Sequence, residues 1–135
     1  MALAERKRLV GLLLLSLAAS LLHFAHNAEF LNAYPNLPAW LTRSQVYLAW
    51  TGVAAIGVCG LVLYLRGWYF FGLALTGLYA AFAFDGLLHY SRAPFDAHTV
   101  AMNFTIWFEV TAAGALLVAV VFAVVTRLHG QGIDA

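Results

Sequence analysis

Four apolar runs, each about 20 residues long or longer, make up most of this 135-residue sequence. A helix of about 20 consecutive apolar residues is long enough to cross the hydrocarbon core of a bilayer. The runs cover residues 9–28, 45–65, 68–90 and 99–126. Hydrophobic side chains make up 64% of the chain and charged ones 10%, whereas soluble domains are about half apolar and about a quarter charged. The sequence therefore predicts one all-α domain over residues 1–135, a four-helix transmembrane bundle with antiparallel up-down helices.

The placement of lysine and arginine predicts how these helices are oriented, because cytoplasmic loops carry an excess of both residues. With the N-terminus inside, most of them face the cytoplasm: Arg6, Lys7, Arg8, Arg66 and Arg127. Only Arg43 and Arg92 face the other side. We therefore expect both termini in the cytoplasm. We also expect the first helix to be retained, because His23 and His26 stand where a signal-peptide cleavage site would need small residues.

The charge of the chain bears on its partners. A formal net charge of +1, with no basic patch among interleaved aromatic residues, gives no indication of nucleic-acid binding. The expected partners are the lipid bilayer and a lipophilic small molecule within it. Other copies of the chain, or the other subunits of a larger membrane complex, are further options that the sequence leaves open.

Polar and ionisable side chains collect in the outer halves of the first, third and fourth runs. The first run carries a row of them on one helical face, with His26 at its edge. That row consists of Ser16, Ser20, His23 and Asn27. In the third run, a four-residue spacing aligns Asp85 and His89 with small residues that let helices pack closely. The fourth run aligns polar residues on one face: His98, Met102, Thr105 and Glu109. His98, at the mouth of the site, is explained equally well as a solvated loop histidine or as a residue that supports the ligands.

These residues need a shared role, because an ionisable side chain at the centre of a bilayer costs about 2.5–3.5 kcal/mol on insertion scales. Imidazole and carboxylate groups bind zinc, iron or copper. We predict a transition-metal site near the non-cytoplasmic face, with His23, His89 and Glu109 as core ligands. Asp85 is expected to be a ligand or to orient His89, and His26 is an optional ligand. If the site is catalytic, the metal would activate water or oxygen against a lipophilic or periplasmic substrate.

Three other interpretations explain the same residues. In the first, Glu109 or Asp85 pairs with a histidine and transfers protons without a metal, to a substrate or along a translocation path. In the second, the polar groups hydrogen-bond between helices only to fix the packing of a structural subunit. In the third, His23 or His26 faces His89 across a haem b, although no cysteine attachment motif accompanies them.

The segments LHFAHN, YPNLPAW, DGLLHY, APF and MNFTIWFE together resemble a group of small bacterial four-helix integral membrane proteins. In their pattern a histidine and an asparagine end the first helix, a Tyr-Pro loop follows, a histidine ends the third helix, and a Met-Asn-x5-Glu stretch lies on the fourth. The resemblance groups five residues of this chain: His23, Asn27, His89, Asn103 and Glu109. His26 is outside the pattern, and no reaction is implied. We accordingly expect a multi-pass protein of the bacterial cytoplasmic (inner) membrane.

Overall fold

A computed structural model describes residues 2–131, and every regular element within that range is helical. The α-helices are α1 (Ala2–Glu29), α2 (Arg43–Leu65), α3 (Tyr69–Phe82), α4 (His89–Arg92) and α5 (Val100–Gln131). A six-residue 3-10 helix, Ala83–Leu88, joins α3 to α4. Shorter 3-10 turns lie in the connections that follow α1 and α4, at Leu31–Ala33 and Phe95–Ala97 respectively. The all-α prediction is confirmed.

Four helical stretches are long and apolar enough to cross a membrane, as the four runs predict. They are Leu3–Glu29, Arg43–Leu65, Tyr69–Arg92 and Val100–His129. Large apolar side chains cover the outside of the bundle: Leu48, Phe71 and Val118 are each exposed over about two thirds of their surface or more. An outer surface of this kind suits lipid as the surrounding solvent and suggests a multi-pass membrane protein.

Contacts at the two ends of the bundle show that neighbouring helices run antiparallel. At one end, Glu5 near the start of α1 accepts hydrogen bonds from Tyr64 at 2.7 Å and from Arg127 at 2.8 Å, late in α2 and α5. At the other end, Glu29 accepts from Tyr47 at 2.7 Å and pairs with Arg43 at 2.8 Å, both early in α2. The helices therefore pack in a ring, with α1 between α2 and α5.

The α2–α3 hairpin closes the other side of this ring. The turn passes through Gly67, whose φ of 91° is in the left-handed region that favours glycine. On either side of the turn, Gly60 of α2 and Gly72 of α3 bring the backbones of these two helices into close contact. A Cβ on Gly60 would lie 2.7 Å from the backbone nitrogen of Thr76. A Cβ on Gly72 would overlap the backbone of Tyr64. The two glycines thus permit this packing.

The third span departs from the prediction of a continuous helix over residues 68–90. Its α-helix ends at Phe82, and the next six residues wind as a 3-10 helix. A 3-10 helix has three residues per turn, so residues three apart share a face. Burial follows that period: Ala83, Gly86 and His89 are buried, while Phe82, Asp85 and Leu88 are exposed. This change of period decides which side chains of the span reach the bundle interior.

Candidate functional site

Glu109 lies at the centre of the polar cluster. It projects from α5 into the bundle with no exposed surface. Neither carboxylate oxygen has a hydrogen-bond partner among residues 2–131. The nearest ionisable atom is Nε2 of His23, 3.7 Å from Oε2. That separation exceeds the range of about 2.7–3.2 Å for an N–H···O hydrogen bond. A fully buried carboxyl group is therefore held beside an imidazole without being bonded to it.

The hydrogen bonds of His23 assign its protonated nitrogen. Its Nδ1 lies 3.3 Å from the hydroxyl oxygen of Thr105. That hydroxyl already donates its hydrogen to the carbonyl of Met102 at 3.0 Å, so it accepts from Nδ1–H of His23. In the neutral ring the lone pair is then on Nε2, the atom that faces Glu109. The lone pair of Nε2 thus faces the carboxyl group of Glu109 across 3.7 Å.

His89 enters the same cluster from the end of the 3-10 segment. Its ring centroid lies 5.4 Å from that of His23, with the two planes nearly perpendicular at 80°. Nε2 accepts from the side-chain amide nitrogen of Asn27 at 3.3 Å, so the proton of the neutral ring is on Nδ1 and would be released on metal binding through that atom. Nδ1 has no hydrogen-bond partner within the described part of the chain. His23 and Asn27, the two first-helix residues that the resemblance groups with His89, therefore both lie against it.

Gly86 leaves room between these groups. It is buried on the same face of the 3-10 helix as His89. A Cβ at Gly86 would lie 3.4 Å from Oε2 of Glu109 and 3.6 Å from Nε2 of His23. A side chain at this position would therefore contact the carboxyl group and the imidazole, as well as Cγ2 of Ile106 at 3.7 Å.

His98 was left outside the predicted ligand set, yet it is only 6% exposed. Its ring centroid lies 6.1 Å from that of His89. Nδ1–H donates to the carbonyl of Pro94 at 3.0 Å, and Nε2 is without a partner in the 2–131 range. The solvated-loop interpretation of His98 is therefore wrong. Four atoms of the cluster share this lack of partners, and we refer to them as the open atoms: Oε1 and Oε2 of Glu109, Nδ1 of His89 and Nε2 of His98.

Asp85 is not brought into the cluster. Its side chain is exposed on the outside of the bundle. The prediction that a four-residue spacing carries both Asp85 and His89 inward is wrong, because it assumes an α-helix. In the 3-10 helix the buried positions are Gly86 and His89, and Asp85 falls on the opposite side.

His26 lies at the edge of the site and is engaged elsewhere. Its Nδ1 is 2.9 Å from the hydroxyl of Tyr34, in the connection after α1. Tyr34 itself is only 3% exposed, and its ring packs 4.9 Å from that of His89. Burial raises the pKa of the Tyr34 phenol to about 12, so the hydroxyl stays neutral at physiological pH. Tyr34 therefore covers the cluster and separates it from His26.

Asn103 holds the second outer connection in place. Its amide nitrogen donates to the carbonyls of Phe95 at 3.2 Å and His98 at 3.3 Å. Its oxygen accepts from the hydroxyl of Tyr90 at 2.8 Å. With both ends of the amide bonded to protein, Asn103 positions the segment that carries His98 and offers no free ligand atom of its own.

The cluster does not form a closed metal site as its side chains stand. Within residues 2–131, no three side chains of histidine, cysteine, aspartate or glutamate lie close enough together to hold a metal ion.

Comparisons with models of known protein families, with curated proteins and with solved structures find no match for this chain. The geometry of the site is therefore what bears on function.

Proposed function

We propose that this protein is an integral membrane protein whose buried cluster of His23, His89 and Glu109 binds a transition-metal ion. The observation that carries the proposal is the 3.7 Å separation of Nε2 of His23, a nitrogen with a free lone pair, from Oε2 of Glu109 in a buried site. Two atoms that each bind a tetrahedral zinc ion at about 2.0–2.1 Å are roughly 3.3 Å apart. The separation is thus closer to that of two ligands of one ion than to that of a hydrogen bond.

The ring arrangement also suits shared ligands. Two imidazoles that bind one zinc ion through nitrogens at about 2.0–2.1 Å have ring centroids roughly 5 Å apart. The centroids of His23 and His89 are 5.4 Å apart. A cation would also neutralise the buried carboxylate of Glu109, whose oxygens have no hydrogen-bond partner among residues 2–131.

A role in packing alone fits the cluster less well. Polar groups that fix helix packing do so by bonding to one another, and buried polar groups without partners are rare. Here Asn103, Thr105 and Asn27 make such bonds. The open atoms, by contrast, have no partner among residues 2–131 and belong to the groups that would bind metal best. Asn27 is bonded through its amide nitrogen only, because its oxygen also has no partner in that range.

A proton path across the membrane also fits less well. Towards the opposite end of the bundle, the buried polar residues among residues 2–131 continue through Ser20, Tyr79, Ser16 and Thr76, whose hydroxyl donates to the carbonyl of Gly72 at 2.8 Å. A layer of apolar side chains then fills the interior between them and the ion pair of Glu5 and Arg127. It consists of Leu9, Leu13, Leu73, Leu116 and Val120. A site approached from one end is more consistent with binding or catalysis than with translocation.

A bound metal of this class acts as a Lewis acid and lowers the pKa of its bound water. The residues of the chain would contribute in distinct ways. His23, held by Thr105, presents Nε2, and Glu109 supplies the negative charge. Tyr34 and the loop around it would exclude water from the cluster. The substrate we propose is a lipophilic or periplasmic molecule, because the site lies at one end of a lipid-facing bundle.

We further propose a location in the bacterial cytoplasmic membrane with both termini in the cytoplasm. The cluster shares its end of the bundle with Arg43 and Arg92, whereas the other five lysine and arginine residues belong to the opposite end or its connections. A C-terminal fusion to green fluorescent protein should therefore fluoresce in a bacterial host, and a C-terminal fusion to alkaline phosphatase should be inactive. The reverse pair of results would place the cluster on the cytoplasmic side.

Metal analysis tests the proposal. Protein purified in detergent without chelator should contain about one equivalent of zinc, iron or copper per chain, and His89→Ala should lose it. His129→Ala, which changes an exposed histidine at the opposite end, should retain it. Absence of metal from freshly purified wild type, together with no binding on addition of each metal, would contradict the proposal. An absorbance band typical of haem would favour the bis-histidine interpretation instead.

A further inference from the structure

We infer that His98 is a third imidazole ligand of this metal ion, so that the site comprises three histidines and one carboxylate. The inference rests on the proposed function and adds to it a ligand from the connection between α4 and α5. It replaces Asp85, which is exposed, and His26, which is bonded to Tyr34.

The hydrogen bond of His98 is the one that metal-binding histidines make. A ligating histidine almost always donates its second ring N–H to a carboxylate, a backbone carbonyl or water, which fixes the tautomer and the ring orientation. In His98 the donor is Nδ1–H and the acceptor is the carbonyl of Pro94, 3.0 Å away. The lone pair is therefore on Nε2, which is buried and is one of the open atoms.

His23 has the same arrangement. Its Nδ1–H donates to Thr105 and its Nε2 carries the lone pair. Two histidines from different parts of the chain thus share one tautomer, with the supporting bond on Nδ1 and the free lone pair on Nε2. His89 lies between them, with ring centroids 5.4 Å from His23 and 6.1 Å from His98. The ring of His89 is thus close to both of the other rings, and one buried cluster holds all three imidazoles.

The segment that carries His98 is built to hold it still. Asn103 bonds to the carbonyl of His98 and to that of Phe95, three residues earlier. Tyr90 donates to Asn103 and also packs against the His98 ring at 5.3 Å between centroids. A histidine that served only as a surface residue would need no such support and would not be 6% exposed.

The consequence is a ligand set rich in nitrogen. Three imidazoles and one carboxylate suit zinc or iron, and the absence of thiolate from the set disfavours the sites that select soft metals. The single cysteine is exposed on α2 and takes no part. Metal binding through His98 would also tie the α4–α5 connection to α1 and α5.

The experiment compares His98→Ala with wild type and with a matched control. His129 is the control, because its Nδ1 also bonds a backbone carbonyl, that of Val125 at 2.8 Å, but its side chain is exposed at the opposite end. Metal-stripped samples of all three proteins are titrated with Zn²⁺ in detergent, and circular dichroism confirms that each is folded. His98→Ala should bind at least about 100-fold more weakly, since loss of a merely supporting partner already costs about 10–100-fold. His129→Ala should bind as wild type does.

Two further measurements separate a ligand from a structural residue. X-ray absorption at the zinc edge should count three imidazoles in wild type and two in His98→Ala. Free imidazole added to His98→Ala should restore part of the lost affinity, which it would not do for a packing defect. If wild type binds zinc and His98→Ala binds it equally tightly with an unchanged imidazole count, the inference is wrong while the proposed function stands. If wild type binds no metal, both fail.

Discussion

Nε2 of His23 and Oε2 of Glu109 lie 3.7 Å apart in a part of the bundle where both side chains are almost fully buried. The bond from His23 to Thr105 fixes the proton on the far side of the ring, so a lone pair faces the carboxylate. Such a buried pair is stable when the carboxyl group carries a proton or when a cation lies between the two atoms. A metal ion meets the second condition and uses the other open atoms as well.

Substitution of Glu109 should separate a ligand from a packing residue. Because residues 2–131 supply no hydrogen bond to its oxygens, Glu109→Gln in metal-free protein should change the free energy of unfolding by less than about 1 kcal/mol, or raise it. Metal should no longer stabilise the variant. Unfolding by sodium dodecyl sulfate in mixed micelles, with and without Zn²⁺, measures both effects.

Asn103→Ala is the matched comparison for Glu109→Gln. It removes an amide that makes three hydrogen bonds to the protein, so it should destabilise the metal-free protein by roughly 1–3 kcal/mol. A loss of that size in Glu109→Gln instead would assign Glu109 to packing.

Gly86→Ala tests the space between the ligands. Its methyl group would contact Oε2 of Glu109 at 3.4 Å and Nε2 of His23 at 3.6 Å, which are ordinary van der Waals distances. The fold should therefore tolerate the change. The added methyl group would, however, occupy the space beside Oε2 of Glu109 and Nε2 of His23, where these two atoms would bind the ion. We expect metal affinity to fall about 10–100-fold, the range for changes next to ligands. Unchanged affinity in calorimetric titration would show that the ion does not use this space.

The ion pair of Glu5 and Arg127, at the end of the bundle away from the cluster, should stabilise the fold more than the exposed pair of Glu29 and Arg43 does. The side chains of Arg127 and Glu5 are 23% and 14% exposed, whereas those of Arg43 and Glu29 are 66% and 39% exposed. Glu5→Gln should cost roughly 1.5–3 kcal/mol, as hydrogen bonds to charged groups do. Glu29→Gln should cost less than about 1 kcal/mol. Detergent unfolding curves compare the two directly, and equal losses would contradict the burial argument.

The close contact of α2 and α3 predicts a steric effect at Gly72. A methyl group there would overlap the backbone of Tyr64, so Gly72→Ala should separate the helices and lower the thermal midpoint. Gly52→Ala is the control, because no atom lies within 4 Å of its added Cβ. That variant should be neutral or more stable by up to about 1 kcal/mol, the helix-propensity difference between the residues. Equal behaviour of the two variants would mean that the hairpin is looser than described.

Run length and hydropathy are sufficient to predict the four spans, because a helix that satisfies its own backbone in lipid needs little else. The inward placement of His23 and Glu109 also followed from spacing, whereas His89 lies inward because of the three-residue period of the 3-10 helix. Asp85 was misplaced because the change from 3.6 to three residues per turn depends on how Ala83–Leu88 packs against α5, and local spacing does not reveal it. His98 was undervalued because a loop histidine has no periodicity. The one available signal was Pro94, four residues earlier, whose carbonyl holds the ring.

The most direct test of the account is to locate the ion. Crystals of zinc-loaded protein, measured above and below the zinc absorption edge, should show a single anomalous peak bonded to His23, His89 and Glu109, with metal–nitrogen distances of about 2.0–2.1 Å. An anomalous map with no peak in this cluster, or with zinc bound only at the surface, would contradict it.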